Sequence, residues 1–273
     1  MIRIFTDNAA NLPQEFIDQY NLGLVYINCF VDGEELDFSD GFDGVKYYND
    51  MRAGWRVSTA MPSLGAFLDA FDPVLAAGDD IIYVGMSGGI SGTNALSQTA
   101  VMELREKYPD RKIIVIDSLC SSSGYGLLVD YAADMRDEGK SMEEIETWVM
   151  AHRNKVHHQF FSTDLQYYRR SGRMSGAAAT LGAILNICPI MRLDDGGRII
   201  AYDKVRGKKK AVARTTDTME EHAENGKDYS GKCFICNSNC QAEAEALETA
   251  LEERFPNLKG NIRICDIGTI IAS

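Results

Sequence analysis

The residues with the clearest capacity for chemistry lie in the glycine-rich stretch 85–92, which reads GMSGGISG. This stretch presents the hydroxyl groups of Ser87 and Ser91, and Thr93 follows it directly. Gly92 and the other glycines allow a ligand to approach the backbone closely. Hydroxyl groups beside free backbone N–H groups are suited to holding an anion. The stretch therefore predicts an anion-binding turn.

The segments on either side of this turn indicate what holds it in place. The apolar run 81–84 has the composition of a buried strand, and apolar residues then recur at helical spacing over 93–107. In an α/β sheet such a strand–turn–helix junction lies at the carboxyl edge, where ligands bind. The start of the helix adds a partial positive charge. We therefore expect the anion to bind between the strand and the first helical turn.

The rest of the chain predicts an α/β protein. Strand and helix patterns alternate as far as residue 155, which implies a mostly parallel sheet with covering helices. Beyond that point the sequence DDGG at 194–197 is a strong hairpin signal between two strand-like runs. A helix is expected over 177–185. We predict two α/β domains, 1–155 and 156–273, the second with a mixed sheet and helices.

Composition and charge exclude several classes of protein. The 273 residues are 45% hydrophobic and carry a net charge of -12, which argues against nucleic acid as a partner. The sequence contains no run of about 18 apolar residues that would span a membrane. The N-terminus reads as a first strand rather than a signal peptide. Seven cysteines in apolar surroundings suggest reduced thiols and therefore a cytoplasmic protein.

An alternative interpretation makes Ser87 a nucleophile. Residues 85–89 fit the Gly-x-Ser-x-Gly turn of α/β-hydrolases, and they follow a predicted strand. An acyl-transfer serine also needs a histidine base. None of the four histidines follows a strand in a glycine-rich loop, where such a base is usually found; they are His152, His157, His158 and His222. A serine hydrolase using Ser87 is therefore kept only as the alternative function.

Two other clusters have spacings that resemble metal or redox sites. Cys233 and Cys236 are three residues apart, but they lie in an apolar strand with only Cys240 nearby, and a structural zinc site needs four ligands. Buried, inert thiols are the favoured interpretation. The acidic residues of 32–43 do not match the spacing of a calcium-binding loop. The sequence therefore predicts neither a metal nor a cofactor.

The segment 204–210 concentrates five positive charges in an acidic protein. One interpretation is a solvated helix start. However, cations at a helix N-terminus oppose the helix dipole, which suggests that an anionic headgroup or an acidic partner docks there. The residues alone leave both interpretations open.

Five segments, in order along nearly the whole chain, together resemble the DegV family. These are fatty-acid-binding proteins that serve as substrate-carrying subunits of bacterial fatty acid kinase. The segments are TDNA at 6–9 (similar to the family's Thr-Asp-Ser-Thr/Ala), TAMPS at 59–63 (Thr-Ser-Gln-Pro-Ser), SGGISGT at 87–93 (Ser-Ser-x-Leu-Ser-Gly-Thr), SGRMS at 171–175 (Gly-Gly-Arg-Ile-Ser) and KVRGKKKA at 204–211 (Lys-Val-Arg-Thr-Lys-Lys-Ala).

The resemblance implies that one long-chain fatty acid lies between two α/β domains, with its tail in an apolar tunnel. Hydroxyls at the matching positions Thr59 and Ser91 would hold the carboxylate. A separate, dihydroxyacetone-kinase-like subunit would phosphorylate that carboxylate, so this chain would not be the catalyst, and lipid transfer would allow transient membrane contact. The other expected ligand-binding residues are Ser58, Ser87, Gly92, Thr93 and Arg173, and the expected partner-binding residues are Arg206, Lys208 and Lys209.

The chain also departs from the family pattern. Ala60, Met61 and Gly88 replace polar residues, so the expected cradle has fewer hydroxyls. The family typically continues beyond the equivalent of Ser273 into a His-x-Gly-x-Gly segment that approaches the carboxylate. A dihydroxyacetone-type kinase subunit, a related alternative, needs a histidine bonded covalently to substrate, and no histidine here lies in a matching motif. The candidates for the apolar lining are Phe30, Phe67, Phe71, Leu181, Ile184, Leu185 and Ile190; the sequence does not separate tunnel residues from core residues.

Overall fold

The computed structural model describes residues 1–36, 42–174 and 186–273. The expected helix 177–185, Leu181, Ile184, Leu185, Ser175 and part of the acidic loop, including Asp37 and Asp40, lie outside these residues. The strands are β1 (Ile2–Asp7), β2 (Gly23–Val25), β3 (Asn28–Val31), β4 (Glu34–Glu35), β5 (Val57–Ala60), β6 (Asp80–Gly85), β7 (Ile113–Asp117), β8 (Gln159–Phe161), β9 (Ile187–Leu193), β10 (Ile199–Arg206), β11 (Cys233–Asn237) and β12 (Ile262–Asp266). The helices are α1 (Gln14–Gln19), α2 (Gly44–Ala53), α3 (Leu64–Ala76), α4 (Thr93–Lys107), α5 (Ser123–Asp137), α6 (Met142–His152), α7 (Gln166–Ser171), α8 (Lys208–His222), α9 (Gln241–Arg254) and α10 (Thr269–Ala272).

The first part of the chain is built on a parallel sheet in the order β2-β1-β6-β7. Its central strand β6 is almost fully buried, because helices cover both faces. Phe67 and Phe71 of α3 pack with Tyr83 on one face, and Leu128 of α5 packs with Ile82 on the other. The predicted parallel sheet with covering helices is therefore confirmed.

Side-chain caps fix where two of these helices begin. The hydroxyl of Ser63 accepts the N–H of Ala66 at 3.1 Å, which starts α3. Ser141 and Glu144 form a reciprocal capping box at the start of α6, with distances of 3.2 and 2.8 Å. Each helix thus begins at a serine, which is a start signal that the sequence itself carries.

The apolar run at 24–31 does not form one continuous strand. It divides into β2, in the parallel sheet, and β3, in an antiparallel sheet of order β4-β3-β5. The side-chain amide of Asn8 pairs with both backbone groups of Ile27, donating to its carbonyl at 3.1 Å and accepting its N–H at 2.9 Å. These bonds hold the bend at which the chain leaves the first sheet.

Beyond residue 155, the strands that the structure describes form two separate sheets. One is antiparallel, in the order β10-β9-β8, and the other pairs β11 with β12 in parallel. The predicted hairpin at 194–197 is confirmed, with the Gly197 N–H bonded to the Asp194 carbonyl at 2.9 Å. The α/β class is confirmed, but in place of the expected mixed sheet the described residues beyond 155 form one antiparallel and one parallel sheet, because β11 and β12 pair only with each other.

The second part returns to pack on the first. Strand β11 lies against α5, and Lys232 forms ion pairs of 2.6 Å with Asp130 and with Asp134 of that helix. Farther along, the Gly268 N–H donates to the Asn11 side chain at 2.8 Å. Within the described ranges, none of the helices is both long and apolar enough to cross a bilayer.

Candidate functional site

The carboxyl edge of the parallel sheet is anchored by a buried carboxylate at the end of β1. Asp7 accepts hydrogen bonds from the hydroxyls of Tyr125 and Tyr83 and from the backbone N–H of Ala9. Burial raises the pKa of Asp7, while the surrounding donors partly offset that cost. Because Tyr83 is on β6 and Tyr125 is on α5, Asp7 connects the strand end to both neighbouring elements.

Ser87 occupies the inner end of the turn that follows β6. It is fully buried, and its hydroxyl donates to the Gly197 carbonyl at 2.9 Å while it accepts the Gly89 N–H at 3.0 Å. Its own N–H donates to the Cys120 carbonyl at 2.8 Å. Ser87 thus connects the turn to the β9–β10 hairpin and to the loop before α5, and it is not among the residues that line the cavity described below.

These contacts do not form the machinery of a serine nucleophile. In the portion of the chain that the structure describes, no histidine ring hydrogen-bonds to Ser87. His158 is engaged by Val156 and Ser121, and His152 by the carbonyl of Trp148. Among the described residues, Ser87 therefore has no histidine partner of the kind that the hydrolase alternative requires.

Ser91 occupies the outer end of the same turn and faces a cavity. Its hydroxyl lies 2.8 Å from that of the buried Thr93, and it accepts the Thr93 N–H at 3.3 Å. Helix α4 begins after Gly92, which provides no side-chain cap. Ser91 therefore lies beside a helix N-terminus whose positive end favours an anion.

Strand β5 brings a second hydroxyl to this cavity. Thr59 is half-buried and lines it, whereas the adjacent Ser58 is exposed and does not. A Cβ atom at Gly92 would lie 2.7 Å from the Met61 sulfur, so the glycine allows the end of β5 to approach the turn. The structure thus places Thr59, Ser91 and Gly92 on one cavity wall.

The cavity has a volume of about 1830 Å³, well above the roughly 300–1000 Å³ of typical small-molecule sites. Arg173 is exposed and also contributes to its wall. Apolar lining comes from residues that were not among the candidates for the lining, including Met86, Ile90, Leu127, Tyr131, Trp148 and Ile270. Of the candidates named from sequence, Phe67, Phe71 and Ile190 are instead fully buried core residues, and Phe30 is not part of the lining.

The basic segment lies at the start of α8. Arg206, Lys208 and Lys209 are all exposed. Lys208 pairs with Glu243 of α9, which raises the pKa of Lys208, and it also borders the cavity. Among the described residues, neither Arg206 nor Lys209 has an ion-pair partner. Lys204 and Lys210 are likewise exposed and have no ion-pair partner among the described residues, so four of the five cations of the segment are available to another molecule.

All four histidines of the chain line the cavity, which the sequence reasoning did not anticipate. The rings of His157 and His222 stack with centroids 4.6 Å apart, and burial lowers the pKa of His157. Burial also lowers the pKa of His158 to about 4. Its Nε2 accepts the Ser121 N–H at 3.3 Å and its Nδ1 lies 3.1 Å from the Val156 carbonyl, an arrangement suited to the neutral ring. The only sequence signal was the closeness of three histidines to the predicted domain junction.

Together, these features define an α/β protein with a large cavity that is apolar over much of its wall and polar beside one helix N-terminus. A family model described as "Uncharacterised protein, DegV family" matches residues 1–273. A DegV domain-containing protein of Clostridium perfringens is 34% identical over 99% of this chain and 92% of its own length. The chain belongs to the DegV family.

Solved structures of DegV family proteins have the same fold as this chain. One, described as the fatty acid binding of a DegV family protein from Thermus thermophilus, has a TM-score of 0.83 and 25% identity, over 99% of this chain and 94% of that one. A fatty acid binding DegV family protein from Streptococcus agalactiae has a TM-score of 0.82 and 26% identity, over 100% of this chain and 94% of that one. Both relatives bear the fatty-acid-binding description.

Proposed function

We propose that this protein binds one long-chain fatty acid in the cavity, between segments 1–155 and 156–273, and presents its carboxylate to a separate kinase. The observation that carries the proposal is the cavity itself, whose mainly apolar wall includes the hydroxyls of Thr59 and Ser91 beside the start of α4. The fatty-acid-binding relatives support the same ligand class.

The headgroup site follows from the contacts of Ser91. The Thr93 hydroxyl can donate to Ser91 Oγ, which leaves the Ser91 hydrogen for a ligand carboxylate. Thr59 supplies a second hydroxyl donor from β5, and Arg173 adds a positive charge to the wall. A carboxylate held by neutral donors keeps its position without a buried ion pair, and it remains reactive toward a phosphoryl donor.

The acyl tail supplies most of the affinity. A chain of about 16 carbons contains roughly 14 methylenes, and each contributes about 0.8 kcal/mol when it is buried. Gross apolar binding is then about 10 kcal/mol, from which ordering costs of several kcal/mol are subtracted. The hydroxyls therefore need only orient the head and offset its desolvation.

Organic extraction of the purified protein followed by mass spectrometry tests this proposal. We expect fatty acid at about one molecule per chain. Protein that is purified without bound lipid is titrated with a fluorescent fatty acid. A fatty alcohol of equal length serves as the control for recognition of the carboxylate. Recovery of no lipid, together with no binding in the titration, would contradict the proposal.

The kinase partner is expected to contact the exposed basic segment. Arg206→Glu and Lys209→Glu should reduce acyl-phosphate formation by an added dihydroxyacetone-kinase-like subunit about tenfold, because two charges reverse at the contact. Bound fatty acid should be unchanged. The matched control is Lys140→Glu, an exposed lysine in the turn between α5 and α6. If lipid retention falls instead, the segment belongs to the binding cavity.

A further inference from the structure

Two thiols lie side by side on neighbouring strands of the β11–β12 sheet. Cys236 and Cys265 are directly paired in the parallel register, so their side chains project from the same face. Neighbouring strands are about 4.7–4.9 Å apart, within the 4.4–6.8 Å between Cα atoms that a disulfide requires. Both are free cysteines in this structure.

Cys236 differs from the other thiols in its surroundings. It lines the cavity next to Ser122 and Ser123, whereas Cys265 is buried behind it. The Cys265 thiol, the hydroxyls of both serines and the Ser123 backbone N–H all stabilise its thiolate and lower the pKa of Cys236. Ser123 is the first residue of the 15-residue helix α5, so the helix N-terminus acts in the same direction.

The other nearby cysteines do not share this environment. Cys233 lies three positions earlier on β11, so its side chain projects from the opposite face, and burial raises its pKa to about 12. This excludes the Cys233–Cys236 spacing as a redox pair. Cys240 also lines the cavity but lies beyond the strand, immediately before α9.

We infer that Cys236 and Cys265 form a peroxide-reactive dithiol on the cavity wall, in which Cys236 attacks a hydroperoxide and Cys265 completes a cross-strand disulfide. The reactive group of the oxidant is the O–O bond of a hydroperoxide. The oxidant is either a lipid hydroperoxide bound in the cavity or hydrogen peroxide from solvent. The acyl-chain source rests on the proposed fatty-acid function, whereas the solvent source does not.

The reaction balances in two steps. The Cys236 thiolate attacks the terminal peroxide oxygen, and an S–O bond forms as the O–O bond breaks. The leaving group is an alkoxide from a lipid hydroperoxide or hydroxide from hydrogen peroxide, and it takes a proton to become an alcohol or water. The Cys265 sulfur then attacks the resulting sulfenic acid; an S–S bond forms, the S–O bond breaks, and the hydroxide leaves with the Cys265 proton as water. In total, two thiols are oxidised, and a lipid hydroperoxide is reduced to an alcohol and water or hydrogen peroxide to two waters.

The test is peptide mapping by mass spectrometry of the full chain after treatment with one equivalent of hydrogen peroxide or of linoleic acid hydroperoxide. We expect a Cys236–Cys265 disulfide with either oxidant. Cys265→Ser should instead accumulate a Cys236 sulfenic acid that dimedone traps, and Cys236→Ser should leave Cys265 reduced. Cys240→Ser is the matched control on the same cavity wall and should still form the disulfide.

The rate and its pH profile separate a reactive thiol from a structural one. At pH 7 the larger thiolate fraction of Cys236 raises its rate about tenfold, and the lower nucleophilicity of a more acidic thiol reduces the net gain to about threefold over an ordinary cysteine. The rate should reach a plateau just above pH 7. A faster reaction with the lipid hydroperoxide identifies the acyl chain as the source, and equal rates identify solvent peroxide.

Absence of the Cys236–Cys265 disulfide with both oxidants, or a Cys236 no more reactive than Cys240, would overturn the inference. If the protein reacts with hydrogen peroxide but binds no fatty acid, the result would support the dithiol and contradict the proposed function.

Discussion

Ser87 and Ser91 lie four residues apart on one turn and serve opposite purposes. Ser87 is fully buried, and its hydrogen bonds to Gly197 and Gly89 are internal to the fold. Ser91 faces the cavity, supported from behind by Thr93. A hydroxyl near the cavity can therefore serve a ligand only where the fold leaves one of its hydrogen bonds unused, as at Ser91.

The largest effect is expected at the contact that keeps Ser87 within the fold. Gly197 has a φ of +70°, and a Cβ there would lie 1.9 Å from Ser87 Oγ. Gly197→Ala should therefore lower the free energy of unfolding by about 3 kcal/mol or more, through backbone strain and the clash with Ser87. Urea denaturation measures this change.

The matched control for that variant is Gly196→Ala in the same hairpin. Its added Cβ would lie 3.4 Å from the nearest atom, a carboxylate oxygen of Asp194, so the change should cost well under 1 kcal/mol. Equal destabilisation by the two variants would show that the Ser87–Gly197 contact has no special role.

His158 is a second polar side chain whose hydrogen bonds lie within the fold, and its titration provides a test of that role. Its pKa in the folded protein is about 4, below the ordinary value of 6.5, so between these values the unfolded chain binds a proton that the folded protein does not. Stability should therefore decrease as pH falls from about 6.5 to 4, by about 1.4 kcal/mol per unit and about 3 kcal/mol at most.

The measurement is urea denaturation across this pH range, with His158→Gln as the comparison. The glutamine side chain can accept the Ser121 N–H but does not titrate, so the variant should show a flatter dependence. The stability of this variant should still depend weakly on pH, because the pKa of His157 is also lowered. Parallel pH profiles for the two proteins would contradict the assignment.

The smallest effect is expected at the exposed pair of Lys208 and Glu243. Both side chains are partly solvated, with Lys208 53% exposed, so solvent screens their attraction. Lys208→Ala should change the free energy of unfolding by less than about 1 kcal/mol, and high salt should erase most of the difference. A larger loss of stability in thermal denaturation would mean that the fold depends on Lys208, as it depends on Ser87.

Local signals in the sequence predicted much of the fold. The sequence contains the signals for the helix caps at Ser63 and Ser141 and for the hairpin at 194–197. Each of these features depends on residues only a few positions apart. The turn before α4 was readable for the same reason. The spacing of apolar residues also gave most strands and helices their correct order.

Long-range contacts explain what the sequence could not predict. The bend at Ile27 depends on Asn8, which lies 19 positions earlier, and the burial of Ser87 depends on Gly197, which lies 110 positions later. The pairing of Cys236 with Cys265 depends on strand register. Aromatic content alone could not separate Phe67, a core residue, from Trp148, which lines the cavity.

The role of Ser91 is tested by the affinity of Ser91→Ala and Ser87→Ala for a long-chain fatty acid, measured by fluorescence titration alongside urea denaturation. Ser91→Ala should weaken binding about 10- to 100-fold, because a hydrogen bond to a charged group contributes about 1.5–3 kcal/mol, and it should leave stability nearly unchanged. Ser87→Ala should lower stability by about 1–3 kcal/mol and keep affinity within about twofold. Weaker binding in Ser87→Ala than in Ser91→Ala would contradict the central claim that Ser91, rather than Ser87, holds the ligand carboxylate.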